Sequence, residues 1–404
     1  MRAEQRVLFL ARSYPNNVID TLGMWTAWLA RELARTGEVQ VVSPVPYCPP
    51  LPRLDALTQY TRFRQVERHE VRNGVHVYHP RFAVGPAQMT ASLEHRTYLR
   101  AVEKPVREIR EEFPFDLIHA HFIYPDGVVA SRLAERYDVP FVVTDQAPWK
   151  PWLERRSIRR PALSAALEAA RLACVSEMLK ETMRHYLGPD ARVDVIPNGV
   201  DDEMFRPVDD EGERNPGQIA YVGLINYNKG FDTLLEAMPR VVARNDRAKL
   251  VVVGGSYYRN TRLQEQALRR RAGTPGLDGH IVFVGRRPPE EVARIMRESA
   301  VVVLPSRAET FGAVLVEALA SGTPVVSTAS GGPEEIVTED VGRLVPIGRP
   351  DALADALLDV LESREQFSAQ RLRQYALERY RWSTIAEQYR RIYAEVLADH
   401  ARRN

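Results

Sequence analysis

The chain has 404 residues, 45% of them hydrophobic and 27% charged, enough for about two to three domains with cores of their own. A formal net charge of +2 argues against a dedicated nucleic-acid binder, and no stretch approaches the roughly 18 apolar residues that a membrane-spanning helix needs. Cys48 and Cys174 stand alone without metal-ligand spacing, so a reduced cytoplasmic protein is expected, at most peripheral to a membrane.

The first apolar run, residues 7–11, is too short for a secretion signal. Short apolar strands are expected at 6–11, 39–43, 75–79, 116–120, 141–144, 172–175 and 193–196, with helices at 24–36, 94–112, 128–136 and 177–187. Turn formers then crowd the segment from Ile196-Pro197-Asn198-Gly199 to Pro216-Gly217, the expected domain boundary. Asn198 and Gly199 read there as a linker turn without chemistry. Strands resume at 218–222, 250–253, 281–284, 301–304, 324–326 and 343–345. This alternation implies an α/β protein with parallel sheets covered on both faces. The expected domains are 1–197 and 198–381. Two doubly wound sheets would turn their strand ends toward a shared cleft, the usual ligand position. A last helical window, 382–397, spaces Ile385, Tyr389, Ile392, Tyr393 and Val396 for one buried face.

The run from Pro305 to Ala318 carries the most chemistry. Glu309 falls in a strand-to-helix loop and Glu317 about two turns along the helix that follows. Between them, the backbone amides around Thr310, Phe311 and Gly312 open the helix, where unpaired N–H groups and the dipole favour phosphate. A phosphate pocket flanked by two acceptor carboxylates suits a nucleotide sugar. After the strand at 218–222, Gly223 permits a tight turn and Lys229 offers a mobile cation, although a surface lysine after a turn is the plainer reading.

Glu309 and Glu317 with Phe311-Gly312 between them, followed by Ser321-Gly322-Thr323-Pro324 and Gly331-Gly332-Pro333-Glu334, resemble the retaining GT-B glycosyltransferases called family 4. The mid-chain Ile-Pro-Asn-Gly-Val-Asp resembles that family's interdomain segment. The resemblance implies two Rossmann-like domains facing a cleft, with the final helix (382–404) crossing back to the first. It implies a nucleotide-sugar donor, no cofactor and no metal. Glu309 would orient the donor sugar, Glu317 would hold the ribose, and Lys229 would neutralise the leaving diphosphate, so Glu309 and Lys229 are the catalytic candidates. Gly223 and Lys229 match a family Gly-Arg-Leu…Lys-Gly loop, but Leu224 stands where the family has Arg. Arg286, Arg307 or Asn226 are the candidates to replace it.

In the first domain, Asn16 lies in the loop that leads to Gly23, and the family has a glycine here that approaches the donor phosphate. An ordinary loop glycine is equally open. His119 and His121 end a strand on one face, followed by Tyr124-Pro125-Asp126-Gly127, as in transferases that build bacterial surface polysaccharides. Each is either an acceptor-side cleft residue or a hydrogen-bonded structural histidine, and two ligands without a third do not make a metal site. Gln146 stands where many members have a cleft His, and it cannot titrate. The segment 149–160 mixes Trp149 and Trp152 with five cations. It reads as a solvated basic loop, with docking on anionic headgroups as the alternative.

The resemblance implies a retaining, metal-independent glycosyltransferase acting on a sugar, lipid-linked or small-molecule acceptor. The alternatives are a degenerate nucleotide-sugar-binding protein, given Leu224 and Gln146, or a nucleotide-sugar epimerase of the same fold. The base, sugar, acceptor and oligomeric state are left open.

Overall fold

The structure is a computed structural model that describes residues 5–48, 60–85, 93–149, 153–208, 214–255, 259–273 and 276–403. It divides into two compact units, Met1–Gly199 with Trp382–Asn404, and Val200–Arg381.

The first unit is built on an eight-stranded sheet. Its strands are β1 (Arg6–Leu10), β2 (Glu38–Val42), β4 (His69–Arg72), β5 (Val75–Tyr78), β7 (Leu117–His121), β8 (Phe141–Asp145), β9 (Arg171–Cys174) and β10 (Val193–Val195). Their order is β10-β9-β8-β7-β1-β2-β5-β4, and every pairing is parallel except the outer β4–β5 hairpin. Two short strands, β3 (Val45–Tyr47) and β6 (Arg81–Ala83), pair apart from it. Strands buried on both faces are mostly apolar; β7 and β8 are buried at every position, and the polar residues they contain, His119, His121, Thr144 and Asp145, lie toward their carboxyl ends.

Helices α1 (Met24–Leu33), α2 (Glu94–Glu112), α3 (Val128–Tyr137), α4 (Arg156–Glu168) and α5 (Glu177–Leu187) connect these strands. The final helix, Trp382–Arg403, belongs to the same unit. It buries Ile385, Tyr389, Ile392, Tyr393 and Val396. Tyr393 donates to or accepts from His119 Nδ1 at 2.6 Å, His119 Nε2 meets Thr144 Oγ1 at 2.8 Å, and Thr144 meets Tyr389 at 3.0 Å. Gly199 is more than a linker turn, because a Cβ there would lie 2.3 Å from the Trp382 ring.

The second unit has a six-stranded, wholly parallel sheet in the order β13-β12-β11-β14-β15-β16. These strands are β11 (Asn215–Gly223), β12 (Lys249–Gly254), β13 (Ile281–Gly285), β14 (Ser299–Leu304), β15 (Val325–Thr328) and β16 (Gly342–Val345). Pro216 and Gly217, expected in a boundary loop, lie inside β11, where the register shifts between Asn215 and Ile219. Helices α6 (Phe231–Arg244), α7 (Arg259–Ala272), α8 (Pro289–Glu298), α9 (Ala313–Ala320), α10 (Pro333–Ile336), α11 (Pro350–Glu362) and α12 (Ala369–Tyr380) complete the unit. Arg373 of α12 donates to the carbonyls of Ala320, Phe205 and Asp202 at 3.1, 2.8 and 2.8 Å, a cation at the end of α9 where the dipole welcomes it.

Candidate functional site

In the second unit the chain runs outward from β11 to β12 and β13, then returns to place β14 on the other side of β11. The crevice beyond the carboxyl ends of two such strands is the usual ligand position of an open parallel sheet. The two loops that leave these strands carry Lys229 and Glu309. Lys229 Nζ lies 2.5 Å from Glu309 Oε2, and Ser306 Oγ donates to the same oxygen at 3.2 Å. The Lys229 amide donates to Asn226 Oδ1 at 2.8 Å. Glu309 is fixed from both sides, since its N–H meets Ser330 O and its carbonyl accepts from Gly332 N, each at 2.9 Å. The loops interlock at Gly230, left-handed at φ 63, where a Cβ would sit 1.7 Å from Pro305 O. Only glycine fits there.

Beyond Glu309, Thr310 is half-buried, and Phe311 is buried against the Tyr380 ring at 5.8 Å. Gly312 caps α9 in the left-handed region at φ 99 without a side-chain bond, and the Leu315 amide donates to its carbonyl at 2.9 Å. Glu317 lies in the second turn of α9. Desolvation pushes its carboxyl up to about 8, and no side-chain hydrogen bond or ion pair holds it among the described residues. Gly223 ends β11 opposite Gly254. Arg286 is exposed just after β13.

Of the groups offered in place of the missing Arg at Leu224, Asn226 and Arg307 hold the loop itself together. Asn226 holds the Lys229 amide. Arg307 forms a two-pronged pair with Asp232, at 2.7 Å on each oxygen. That pair escaped sequence reasoning because the two residues lie 75 positions apart. No group of three His, Cys, Asp or Glu gathers in metal-binding fashion among the described residues.

In the first unit several expectations need correction. His119 is a core residue, with both ring nitrogens occupied by Tyr393 and Thr144. Burial, with the neighbouring His121 second, holds it well below the usual imidazole range, so it is neutral and not a cleft group. His121 is also buried, and desolvation pushes it down to about 3. Its Nδ1 faces Thr26 Oγ1 at 3.4 Å, while Nε2 has no partner among the described residues. Asn16 is buried and spends its oxygen on the amides of Val18 and Ile19, which makes it a turn former. Gln146 is half-buried and accepts from Asn198 Nδ2 at 3.3 Å. Gly23 begins α1 at φ 66, with Ser13 O 2.1 Å from where a Cβ would lie.

Trp149 cannot dock on headgroups, since it is buried and its Nε1 donates to Asp145. The basic segment is a helix from Arg156 on, not a loop, with Arg155, Arg156, Arg159 and Arg160 exposed. Lys150, Pro151 and Trp152 lie outside the described residues. Sequence reasoning missed the polar cluster beside β1 and β7. There Asp126 accepts from Tyr98 OH at 2.6 Å and Arg12 N at 2.9 Å, and Arg12 pairs with Glu94 at 2.8 Å. Desolvation pushes Asp126 up to about 8, and its Oδ2 has no hydrogen-bond partner among the described residues. An Asp in the turn after a strand, inside Tyr124-Pro125-Asp126-Gly127, was the available signal.

Comparison with known proteins gives the family and the fold. Residues 208–379 match the family described as "Glycosyl transferases group 1", and residues 23–204 match "Glycosyltransferase Family 4". A phosphatidyl-myo-inositol mannosyltransferase of Mycolicibacterium smegmatis is 32% identical over 322 residues, 77% of this chain and 79% of that one. A putative teichuronic acid biosynthesis glycosyltransferase of Bacillus subtilis is 27% identical over 369 residues, 87% of this chain and 88% of that one. Among solved structures, a sucrose-phosphate synthase of Thermosynechococcus elongatus superposes with a TM-score of 0.80 at 20% identity, over 98% of this chain and all of that one. Anabaena HepE in complex with UDP-glucose gives 0.72 at 20% identity, over 96% and 99%. The fold is thus GT-B, and the chain belongs to the group 1, or family 4, glycosyltransferases.

Proposed function

We propose that this glycosyltransferase takes its sugar from a nucleotide diphosphate donor held in the second unit, and transfers it with retention of configuration and without a metal ion. The observation that carries the proposal is the Lys229–Glu309 pair beside the start of α9, with Glu317 in the second turn of that helix. Lys229 and the first α9 amides would take the diphosphate, whose charge grows as the glycosidic bond breaks. Such stabilisation accelerates the reaction because it strengthens toward the transition state. Glu309, pre-set by its backbone bonds, would accept from sugar hydroxyls once the donor draws Lys229 away. Glu317 would accept from the ribose. Gly223 and Gly312 leave the backbone open for close approach, Thr310 and Phe311 line the loop, and Arg286 would contribute at the rim.

The acceptor is proposed to be a sugar, cyclitol or lipid-linked carbohydrate, met by the first unit. Relatives named for phosphatidyl-myo-inositol and teichuronic acid support that range. The exposed arginines of the 155–160 segment support a peripheral approach to anionic lipid at the cytoplasmic face. A thermal-shift screen against UDP-, GDP- and ADP-sugars tests the donor. Transfer of the tritiated sugar in EDTA, with the product anomer read by NMR, tests the chemistry. Absence of any shift would sink the donor reading, an inverted anomer the retaining one, and binding without turnover would favour a degenerate binding protein.

A further inference from the structure

Arg307 stands two residues before Glu309, in the loop where a donor diphosphate would lie, and its position invites the role of a phosphate cation. The contacts assign it differently. Its Nη1 and Nη2 each lie 2.7 Å from one oxygen of Asp232, and Nη1 also donates to the Tyr227 carbonyl. Its backbone N–H donates to Asn228 O at 2.8 Å. All of these bonds land on residues 227–232, the segment that contains Lys229. Asp232 is a buried residue in the first turn of α6, where the dipole also favours a carboxylate. Burial alone would raise that carboxyl, but the Arg307 hydrogen bond and charge outweigh it and hold it below its usual range.

We propose that Arg307 and Asp232 form a clamp that positions Lys229 for the donor diphosphate, and that Arg307 is not itself a diphosphate ligand. The proposal rests on the donor site assigned above. A lysine side chain is long and loses much rotamer freedom when fixed, so its aim depends on a rigid Cα. The segment around it is a short turn between Gly223 and Gly230, and its only regular neighbour on the amino side is the end of β11. The clamp closes the turn onto the β14 loop, which brings Lys229 Nζ to Glu309 Oε2. A two-pronged Arg–carboxylate pair supplies geometry as well as attraction. Lysine at 307 could not reproduce it.

The two roles give effects of opposite sign. Calorimetric titration with UDP and with GDP would compare the intact chain with Asp232→Asn, Arg307→Met, Lys229→Ala and the two double variants containing Lys229→Ala. Asp232→Asn and Arg307→Met should each weaken binding about fivefold or more. On the Lys229→Ala background neither should weaken it further, because the group they aim is gone. A merely structural pair would lower melting temperature without this dependence on Lys229. Tighter binding by Asp232→Asn would mean that a freed Arg307 reaches the diphosphate, and would overturn the clamp. Losses from Arg307→Met that multiply fully with those of Lys229→Ala would overturn it as well. If Asp232→Asn fails to fold, the Arg307→Met cycle decides alone, since that side chain is 38% exposed. A Lys229→Ala protein that binds both nucleotides as tightly as the intact chain would overturn the donor assignment itself, and the clamp with it.

Discussion

Desolvation pushes the Glu317 carboxyl up to about 8, so at neutral pH the ligand-free protein holds it largely protonated. Its folded value stands above its unfolded one. Its contribution to stability is therefore fully present below the ordinary carboxylate range and is lost as pH rises through about 8. Glu317→Gln cannot ionise, so it should gain melting temperature over the intact protein as pH rises from 5 to about 9. Ribose hydroxyls donate to the ionised form, so nucleotide affinity should climb over the same window in the intact protein and less steeply in Glu317→Gln. At the alkaline end the variant should bind more weakly by roughly 1.5–3 kcal/mol, the worth of a hydrogen bond to a charged group. Matching pH slopes in calorimetry would remove Glu317 from the ribose. Asp126 is also pushed up to about 8 by burial. Asp126→Asn keeps the acceptor that Tyr98 and Arg12 use and so should fold with little loss at neutral pH, while Asp126→Ala strands both donors. Equal denaturation midpoints for Asn and Ala would contradict that account.

Among the elements, the final helix offers the clearest test of a buried polar network. Tyr393→Phe would leave His119 Nδ1 buried without its partner, at a cost of roughly 1–3 kcal/mol. The unfolding midpoint of the first unit should drop while UDP and GDP affinity stays unchanged, and an undisturbed midpoint would mean the ring nitrogen finds another donor. The same helix shows what was legible beforehand. Its apolar spacing named five of the seven side chains that it buries, leaving out Trp382 and Ala386, and the core strands of both sheets could be read within two residues at each end except at β11, which starts three residues earlier. Parallel strands covered on both faces leave an unbroken apolar run, as in β14. The short edge strands β3, β4 and β6 could not be read that way, because an edge such as His69–Arg72 is polar and half-exposed. Helix α4 was hidden by its arginines, although Ile158, Ala162, Ala165 and Ala166 repeat at helical spacing. His119 looked like a cleft residue because its partner Tyr393 is 274 positions away. In the candidate site, spacing alone placed Glu309, Gly312 and Glu317 on their loop and helix. Only the folded chain brings Lys229 to Glu309 and spends Arg307 on Asp232.

At the scale of the molecule, charge is distributed unevenly. Residues 1–200 carry 27 Lys+Arg against 23 Asp+Glu, and the remainder 28 against 30. No helix among the described residues is long and apolar enough to cross a membrane. Attraction to anionic lipid would therefore rest on exposed arginines, each worth on the order of 1 kcal/mol near such a surface at low salt. Replacing Arg155, Arg156, Arg159 and Arg160 by Ser should weaken cosedimentation with anionic vesicles, most at low salt, and leave nucleotide affinity untouched. Equally weak binding by both proteins would favour a soluble acceptor. In the proposed function, the second unit activates a nucleotide sugar through Lys229, Glu309 and the start of α9. The most direct test of that activation is the turnover of a tritiated nucleotide sugar by the intact chain and by Lys229→Ala, in EDTA and beside their melting temperatures. The intact chain should turn over, and the variant should lose on the order of a hundredfold or more while melting within a few degrees of it, because the lysine side chain is 25% exposed and contributes little to the core. Equal turnover by the two proteins would contradict the account.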